Sequence, residues 1–384
     1  MKLVFVTNLI HHHQIPLADE FYKILGENYR YITTEAMPEF LIIGGYTKYV
    51  EKPYLIRLEG SLKNDKEVKE LIYNADVVII GSAPEKYVTE RIRAGKLTFR
   101  YSERWFKSKP WYCTTPRGWW YFFNNHIRYK QQPLYMLSAS AYTANDVYAI
   151  GAYRNKCYKW GYFTQVDDIS NVETTKEQDV VTSEITTLMW CSRFLKLKHP
   201  ELPIQLAQML KKEGYNFVID MFGSGKELDA TKKIAKDFRV DDVVKFRGNL
   251  PNQEILAEMR KHEIFLFTSD RNEGWGAVLN ESMASGCAVV ASNLIGSVPF
   301  LIKDGENGLI FQSESIDSLF QKVKLLLNNK ELRKKISQNA QRTMYEIWNP
   351  KNAANRFIQL VQALQEGKDT PFIEGPCSKA LPLK

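Results

Sequence analysis

The stretch of sequence from residue 264 to residue 290 constrains the fold more than any other. A short apolar strand at 264–268 leads into a glycine-rich turn, then an apolar helix, and then a second apolar strand at 286–290. Short apolar runs that alternate with a helix in this way are typical of a βαβ unit, whose strands run parallel and are buried on both faces. We therefore predict an α/β fold that is built on a parallel sheet.

Two glutamates lie eight residues apart across the glycine-rich turn. Glu273 lies in the turn that follows the predicted strand, and Glu281 lies about two turns into the helix. Ligands in open α/β sheets bind at the carboxyl ends of the strands, and the free N–H groups of a helix start suit an anion such as a diphosphate. Solvated surface charges are the alternative interpretation, but the glycines and the two flanking strands favour a ligand site.

The chain of 384 residues is too long for one ordinary core, and strands alternate with helices in both halves. We therefore predict two Rossmann-like domains, each a doubly wound parallel sheet, that face a central cleft. The predicted boundaries are 1–165 for the first domain, 166–181 for a polar linker, 182–345 for the second domain, 346–366 for a C-terminal helix that packs back on the first domain, and 367–384 for a disordered tail. Five strands are predicted in each half, at 3–6, 77–80, 97–101, 134–137 and 157–160, and at 187–191, 217–222, 243–246, 264–268 and 288–291.

Charge and cysteine content indicate the partners and the compartment. The net charge is +8, and residues 101–163 carry nine basic side chains against two acidic ones, Glu103 and Asp146. A basic face of this kind predicts an anionic partner for the first domain. No apolar run approaches the roughly 18 residues that a membrane span requires. Five scattered cysteines without a C-x-x-C pair fit free thiols in a reducing cytoplasm.

Five elements follow one another in the second half of the chain. They are a strand followed by Arg193 and Lys198, a glycine loop at 222–225, a strand and turn at 243–250, the glutamate pair at 273–281, and a closing segment at 295–311. In this order they resemble the donor domain of a family 4 glycosyltransferase, a retaining GT-B enzyme of bacterial polysaccharide and lipopolysaccharide synthesis. The first half resembles the acceptor domain of that family more loosely, at 75–78, 138–140 and 160–163.

The resemblance implies a role for each member of this series. Arg193 and Lys198 would hold the diphosphate of a nucleotide-sugar donor, the guanidinium through paired hydrogen bonds and the ammonium as a point charge. Glu273 would accept hydrogen bonds from the transferred sugar, and Glu281 from the ribose. Glu273, Arg193 and Lys198 are therefore assigned to catalysis. The residues assigned to donor binding are Glu281, Gly274, Trp275, Gly276, Ala277, Gly223, Gly225 and Gly248.

Two details of this series leave alternatives open. Gly223 and Gly225 would let the backbone approach the phosphates, but glycines that serve only a tight turn would look the same. The family has a glycine before its phosphate-binding arginine, and Ser192 stands at that place in this chain. Phosphate access beside Arg193 is therefore an open question, although a serine hydroxyl can donate a hydrogen bond.

Residues that face the acceptor are expected in the first half. His11, His12 and His13 follow the first predicted strand, where the family has a glycine-rich loop, and Glu103 follows the strand at 97–101. Contact with the acceptor or the donor phosphates and an ordinary loop role are both open for the histidines. Three adjacent histidines do not all point at one metal ion, so we predict no metal site.

Residues 101–130 are rich in aromatic and basic side chains. Two interpretations are open: the rings pack the interior of the first domain, or they form an interfacial patch whose cations meet an anionic membrane surface. No nucleic-acid partner is predicted, because no nucleic-acid-binding motif accompanies the charge. The aromatic members are Trp105, Phe106, Trp111, Tyr112, Trp119, Trp120, Tyr121, Phe122 and Phe123, and the basic members are Arg104, Lys107, Lys109, Arg117, Arg128 and Lys130.

On this resemblance we predict a retaining, metal-independent glycosyltransferase without a cofactor, whose donor substrate is a nucleoside-diphosphate sugar. Its acceptor would be a glycan or a polyprenyl-lipid-linked sugar in the synthesis of a cell-surface polysaccharide, such as lipopolysaccharide or capsule. It would act in the cytoplasm, peripherally on the inner face of the cell membrane. A nucleotide-sugar epimerase of the same fold and a non-catalytic glycan-binding protein are the alternatives.

Overall fold

The structure, a computed structural model, describes residues 1–36, 51–58, 62–107, 114–166 and 185–383. The chain divides into two compact units, one made of Met1–Gln165 with Asn349–Lys384 and the other of Val166–Trp348. The predicted linker at 166–181 lies outside the described residues except for its first residue. Within the described ranges, every helix falls short of the length and apolarity that a membrane span requires.

The first unit is built on one parallel sheet. Its described strands are β1 (Leu3–Thr7), β2 (Tyr29–Thr33), β3 (Leu55–Arg57), β4 (Val77–Ile80), β5 (Thr98–Ser102), β6 (Leu134–Ser138) and β7 (Cys157–Lys159). They lie in the order β3-β2-β1-β4-β5-β6-β7, and every pair is parallel. The five strands predicted for this half all form. The prediction misses β2, whose apolar run is broken by Arg30, and β3, which is short and only half-buried.

A second parallel sheet forms the middle of the second unit. Its described strands are β8 (Thr186–Cys191), β9 (Phe217–Phe222), β10 (Val244–Gly248), β11 (Ile264–Phe267), β12 (Ala288–Ser292) and β13 (Leu309–Phe311). Their order is β10-β9-β8-β11-β12-β13. This is the Rossmann order, in which the chain winds outward first to one side of β8 and then to the other. The five predicted strands form, and β13 is an additional edge strand.

Helices connect the strands of each sheet, as the predicted alternation requires. In the first unit they are α1 (Ile15–Leu25), α2 (Leu62–Asn74), α3 (Thr89–Arg93), α4 (Pro116–Asn125) and α5 (Thr143–Ala149). In the second unit they are α6 (Glu201–Lys212), α7 (Leu228–Asp237), α8 (Asn252–Lys261), α9 (Val278–Ala284) and α10 (Val298–Leu301), and α11 (Ile316–Asn328) and α12 (Lys330–Arg342) follow the last strand. The last helix, α13 (Pro350–Gln365), belongs to the first unit, where Phe357 packs on Phe21 of α1 with ring centroids 5.6 Å apart.

The predicted disorder of residues 367–384 is wrong for the part that the structure describes. Ser378 and Ala380 are buried, and the segment pairs antiparallel with β7. The N–H of Lys159 donates to the Ser378 carbonyl at 2.7 Å, and that of Ala380 donates to the Cys157 carbonyl at 3.0 Å. An edge strand offers unpaired backbone groups, and pairing with them orders a segment whose composition alone indicates disorder.

The buried guanidinium of Arg91 joins the end of α2 to the starts of β4 and β5. It is 1% exposed, and burial lowers its pKa to about 10, so it stays charged at neutral pH. Because a buried carbonyl without a donor is costly, this one side chain stabilises the whole connection. Its hydrogen bonds, 2.6 to 3.2 Å long, go to the carbonyl oxygens of Ile72, Tyr73, Ala75, Asp76 and Leu97 and to the Thr98 hydroxyl.

We expect Arg91→Met to lower the free energy of unfolding of the first unit by about 3 kcal/mol or more, because several buried carbonyls lose their donor. Urea unfolding followed by circular dichroism measures the change. Arg93→Met is the matched control, since Arg93 is exposed on the same helix and should cost less than about 0.5 kcal/mol. Equal effects of the two substitutions would contradict the role of Arg91.

Candidate functional site

The candidate site lies at the carboxyl end of the second sheet, where the loops after β8 and β11 come together. The two strands are neighbours, with Leu188 opposite Ile264. Arg193 and Lys198 follow β8, and Glu273 follows β11. The sheet therefore collects predicted site residues at the point where the strand order reverses, and α/β sheets bind ligands at that point.

Lys198 and Glu273 form an ion pair there, and each side chain is 13% exposed. Thr268, directly after β11, donates a hydrogen bond to the Lys198 carbonyl at 2.6 Å. The indole N–H of Trp190 in β8 donates in turn to the Thr268 hydroxyl at 2.9 Å. Two buried side chains therefore hold the backbone of Lys198, while Glu273 holds its ammonium group.

The sequence analysis assigns the two residues of this ion pair to different parts of one ligand: Lys198 to the diphosphate and Glu273 to the sugar. An ammonium group paired with a carboxylate can exchange that partner for a phosphate, which is also an anionic oxygen acceptor. The carboxylate of Glu273 is then able to accept hydrogen bonds from hydroxyl groups. The pair can therefore bind a ligand that carries both an anion and hydroxyls.

Arg193 is an exposed cation that precedes Lys198 in the loop after β8. Hydrogen bonds fix the backbone of this loop. Among the described residues its guanidinium makes no hydrogen bond or ion pair. The N–H of Ser192 donates to the Phe222 carbonyl at 3.1 Å, and that of Phe194 to the Ser224 carbonyl at 2.8 Å. A guanidinium on a fixed loop in this state can bind an anion through paired hydrogen bonds.

Gly223 and Gly225 make room for the loop after β8. Their φ angles are 128° and 149°. A Cβ at Gly223 would lie 1.9 Å from the Ser192 carbonyl oxygen, and one at Gly225 would lie 2.4 Å from the Phe194 carbonyl oxygen. The close approach of two backbones therefore requires both glycines, whether or not a phosphate also approaches them. At Gly248, where φ is 76°, a Cβ would meet nothing within 4 Å.

Packing also shapes the turn that leads into α9. Trp275 is fully buried, and its indole N–H donates to Asn280 Oδ1 at 2.8 Å. Gly276 has a φ of 80°, and a Cβ there would lie 2.4 Å from the ring of Phe267. The Trp275 side chain thus belongs to the core, and only its backbone is left to face a ligand. The other two turn residues are Gly274, which is buried, and Ala277, which is half-buried.

Glu281 is a buried carboxyl group on α9, with 9% of the residue exposed. Burial raises its pKa to about 7, and a hydrogen bond with Asn252 opposes that shift. Burial and then the charge of Glu281 raise the pKa of the Cys191 thiol to about 12, whereas Lys198 lowers it, so the carboxyl lies near the end of β8. A carboxyl with a pKa near neutrality accepts hydrogen bonds when ionised and donates one when protonated.

In the first unit, two of the predicted acceptor-side residues meet at Tyr162. Its hydroxyl donates to Glu103 at 2.8 Å, and its ring lies parallel to that of His13 with centroids 6.0 Å apart. Lys107 also donates to Glu103, at 2.6 Å. Burial lowers the pKa of all three histidines at 11–13, that of His13 to about 3, so its imidazole is neutral at physiological pH. Neutral rings and a carboxylate can stack on a sugar and bind its hydroxyls.

Sequence reasoning misses the side chains that hold the site residues in place. Trp190 and Thr268 look like ordinary residues at the ends of two strands, and Tyr162 is part of a loosely matching stretch. Asn252 begins a helix 29 residues before Glu281 and carries no signal of its own. The only available signal for Trp190 and Thr268 is their position at the ends of predicted strands, which does not show that the strands are neighbours.

The fold is that of a known class of structures. The crystal structure of Anabaena HepE in complex with UDP matches this chain with a TM-score of 0.68 at 13% sequence identity, over 95% of this chain and 100% of the HepE chain. Together with the two parallel sheets, this match shows the GT-B architecture and confirms the predicted fold class.

Residues 172–343, which include the whole candidate site of the second unit, match the family model described as Glycosyl transferases group 1. An uncharacterized glycosyltransferase of Methanocaldococcus jannaschii is 24% identical over 201 residues, 51% of this chain and 51% of that protein. The poly(glycerol-phosphate) alpha-glucosyltransferase of Bacillus subtilis is 25% identical over 185 residues, 48% of this chain and 27% of that protein. The chain thus spans about half the length, or less, of these relatives. The second unit is therefore similar to the group 1 glycosyl transferases, and the chain has the GT-B fold.

We expect Gly223→Ala to destabilise the second unit by more than about 3 kcal/mol, because the new Cβ overlaps a carbonyl oxygen as well as straining the backbone. Gly248→Ala is the matched control, since it meets only the backbone strain and should cost about 1 kcal/mol. Thermal and urea unfolding of the two variants measure the difference. If Gly248→Ala is as damaging as Gly223→Ala, the loop contact is not the reason for the glycine.

We expect Glu281→Gln to be more stable than the wild type by about 3 kcal/mol at about pH 8, with the difference disappearing towards about pH 4.5. A carboxyl whose pKa is raised on folding stabilises the fold only while protonated, so its contribution is lost as pH rises from its ordinary range to about 7. Urea unfolding across this pH range measures the difference. Glu306→Gln, at an exposed position, should show no such pH dependence.

Proposed function

We propose that this protein is a retaining glycosyltransferase that moves a sugar from a nucleoside-diphosphate sugar to a glycan or polyprenyl-lipid-linked acceptor in cell-surface polysaccharide synthesis. The observation that carries the proposal is the ion pair between Lys198 and Glu273, at the same sheet edge as the buried carboxyl of Glu281. The ammonium group suits a diphosphate. The carboxyl group of Glu273 suits a sugar, and that of Glu281 suits a ribose.

The leaving diphosphate would be stabilised by two cations. Arg193 and Lys198 would neutralise the charge that it gains, so the reaction would need no metal ion. The bond between the anomeric carbon and the diphosphate oxygen breaks, and its electron pair stays on the diphosphate. The acceptor hydroxyl oxygen bonds to the anomeric carbon from the same face, its proton passes to a diphosphate oxygen, and the anomeric configuration is retained.

The two glutamates would then bind different hydroxyls of the donor. Glu273, released from Lys198 by the diphosphate, would accept hydrogen bonds from the transferred sugar. Glu281 would be ionised by binding, because ribose hydroxyls stabilise its carboxylate form. In the first unit, His13, Tyr162 and Glu103 would contact the acceptor, since their rings and carboxylate suit a sugar.

Two similar proteins support this proposal. HepE was crystallised with UDP, and the relative from Bacillus subtilis is named as a glucosyltransferase for poly(glycerol-phosphate). UDP-sugars are therefore the first donors to test. Within the described residues Cys157, Cys191, Cys287 and Cys377 form no disulfide bond, which supports a cytoplasmic location.

We expect Lys198→Ala and Glu281→Ala to lower sugar transfer at least about a hundredfold, because they remove the charge that stabilises the leaving group and the acceptor for the ribose hydroxyls. A thermal-shift panel of nucleotide sugars first identifies the donor, which stabilises the fold at saturation. Hydrolysis of that donor and transfer to an acceptor glycan are then measured with each variant. Lys196→Ala is the matched control, since Lys196 is exposed in the same turn and should leave turnover unchanged.

The outcomes separate the three candidate functions. Near-normal turnover in both variants would refute the assignment of the site. An epimerase would convert the donor into an isomer of equal mass without any acceptor, which nuclear magnetic resonance detects. A glycan-binding protein would be stabilised by glycans and by no nucleotide sugar.

A further inference from the structure

The aromatic residues of α4 have two different environments. Phe122 and Gly118 are buried, and Phe122 packs on Trp105 with ring centroids 5.3 Å apart and on Phe106 at 5.8 Å. The helix starts at a stable cap, because Thr115 Oγ1 accepts a hydrogen bond from Gly118 N at 3.0 Å. The interpretation of these rings as internal packing therefore holds for one side of the helix only.

The other side of α4 exposes large aromatic side chains to solvent. Trp120 is 64% exposed, Trp119 57%, Tyr121 39% and Phe123 38%. Trp119 and Phe123 stack on each other, with ring centroids 5.1 Å apart and planes 13° from parallel, so these two exposed rings are contiguous. Adjacent exposed rings on one short helix mark a surface that binds something apolar.

Basic side chains flank these rings, and acidic ones are absent from the sequence around them. Residues 114–133 contain no Asp or Glu. Arg117, Arg128 and Lys130 are exposed, and Arg128 donates to Asn124 of α4 at 3.1 Å, which places its charge beside the helix. Cations beside aromatic rings suit a bilayer that contains acidic lipids, because the rings can contact its apolar interior and the cations its anionic headgroups.

We propose that this face of α4, formed by Arg117, Trp119, Trp120, Phe123 and Arg128, docks the protein on an anionic lipid surface. The helix would lie along the membrane with its rings at headgroup depth, and the arginines would pair with lipid phosphates. The docking itself is independent of the donor site. It rests on the proposed function only in one respect, that it would place the enzyme where a polyprenyl-linked acceptor is found.

The test is flotation of the full-length protein with vesicles. We expect the wild type to float with phosphatidylcholine vesicles that contain about 30% phosphatidylglycerol, and to bind vesicles of phosphatidylcholine alone at least about tenfold more weakly. The double variant Trp119→Ser/Trp120→Ser should lose at least about tenfold in affinity, because two apolar side chains no longer enter the interface. Arg117→Gln/Arg128→Gln should lose about tenfold in affinity and weaken the dependence of binding on salt.

Ile24→Ser is the matched control, because Ile24 is an exposed apolar residue of α1 in the same unit and should leave flotation unchanged. Circular dichroism and the unfolding midpoint check that each variant is folded. Absence of binding to the anionic vesicles, or equal binding by the two double variants and the wild type, would overturn the proposal. So would a change of sedimentation coefficient in the tryptophan variant with unchanged flotation, since the face would then be a protein interface.

Donor binding is measured in parallel, so that a failure of docking and a failure of the proposed function can be distinguished. The α4 variants should keep the thermal shift with the nucleotide sugar, because they lie outside the donor site. Loss of flotation with an unchanged thermal shift supports the docking surface. Flotation without any nucleotide-sugar shift would refute the proposed function and leave the docking surface standing.

Discussion

The parallel pairing of β8 with β11 is the constraint on which the candidate site depends. It brings the loop with Lys198 beside the loop with Glu273, although 75 residues separate them in the chain. The hydrogen bonds from Trp190 to Thr268 and from Thr268 to the Lys198 carbonyl then fix the first loop. A shift in strand order would separate these residues without changing any of them.

Burial disfavours the charged forms of Arg91 and Glu281 alike, but the two groups differ in the hydrogen bonds that compensate them. Arg91 stays charged at neutral pH although burial lowers its pKa, and its hydrogen bonds to buried carbonyl groups stabilise the fold. Glu281 is buried with a pKa near 7, so its ionised form costs stability. A carboxyl group that costs stability without improving packing is expected at a binding site, which supports the role proposed for Glu281.

The first unit covers one of its exposed surfaces and leaves another exposed. The segment after α13 pairs with β7 and removes an exposed strand edge. The outer face of α4 stays uncovered, with Trp119 and Trp120 more than half exposed. Because burying such rings is strongly favourable, their exposure is consistent with a surface that is covered by a partner.

The sequence by itself determined the alternation of strands and helices, because apolar runs and their period are local properties. That alternation determined the α/β class and the candidate residues at the strand ends. Its local patterns did not show β2 or β3, where polar or half-buried residues weaken the run, nor the order of the tail, which depends on pairing with β7. Gly223 is required because the loop after β8 passes so close that a Cβ would overlap the Ser192 carbonyl oxygen. Only the tertiary structure decided that Lys198 pairs with Glu273 and that Glu281 is buried, because both depend on which strands are neighbours.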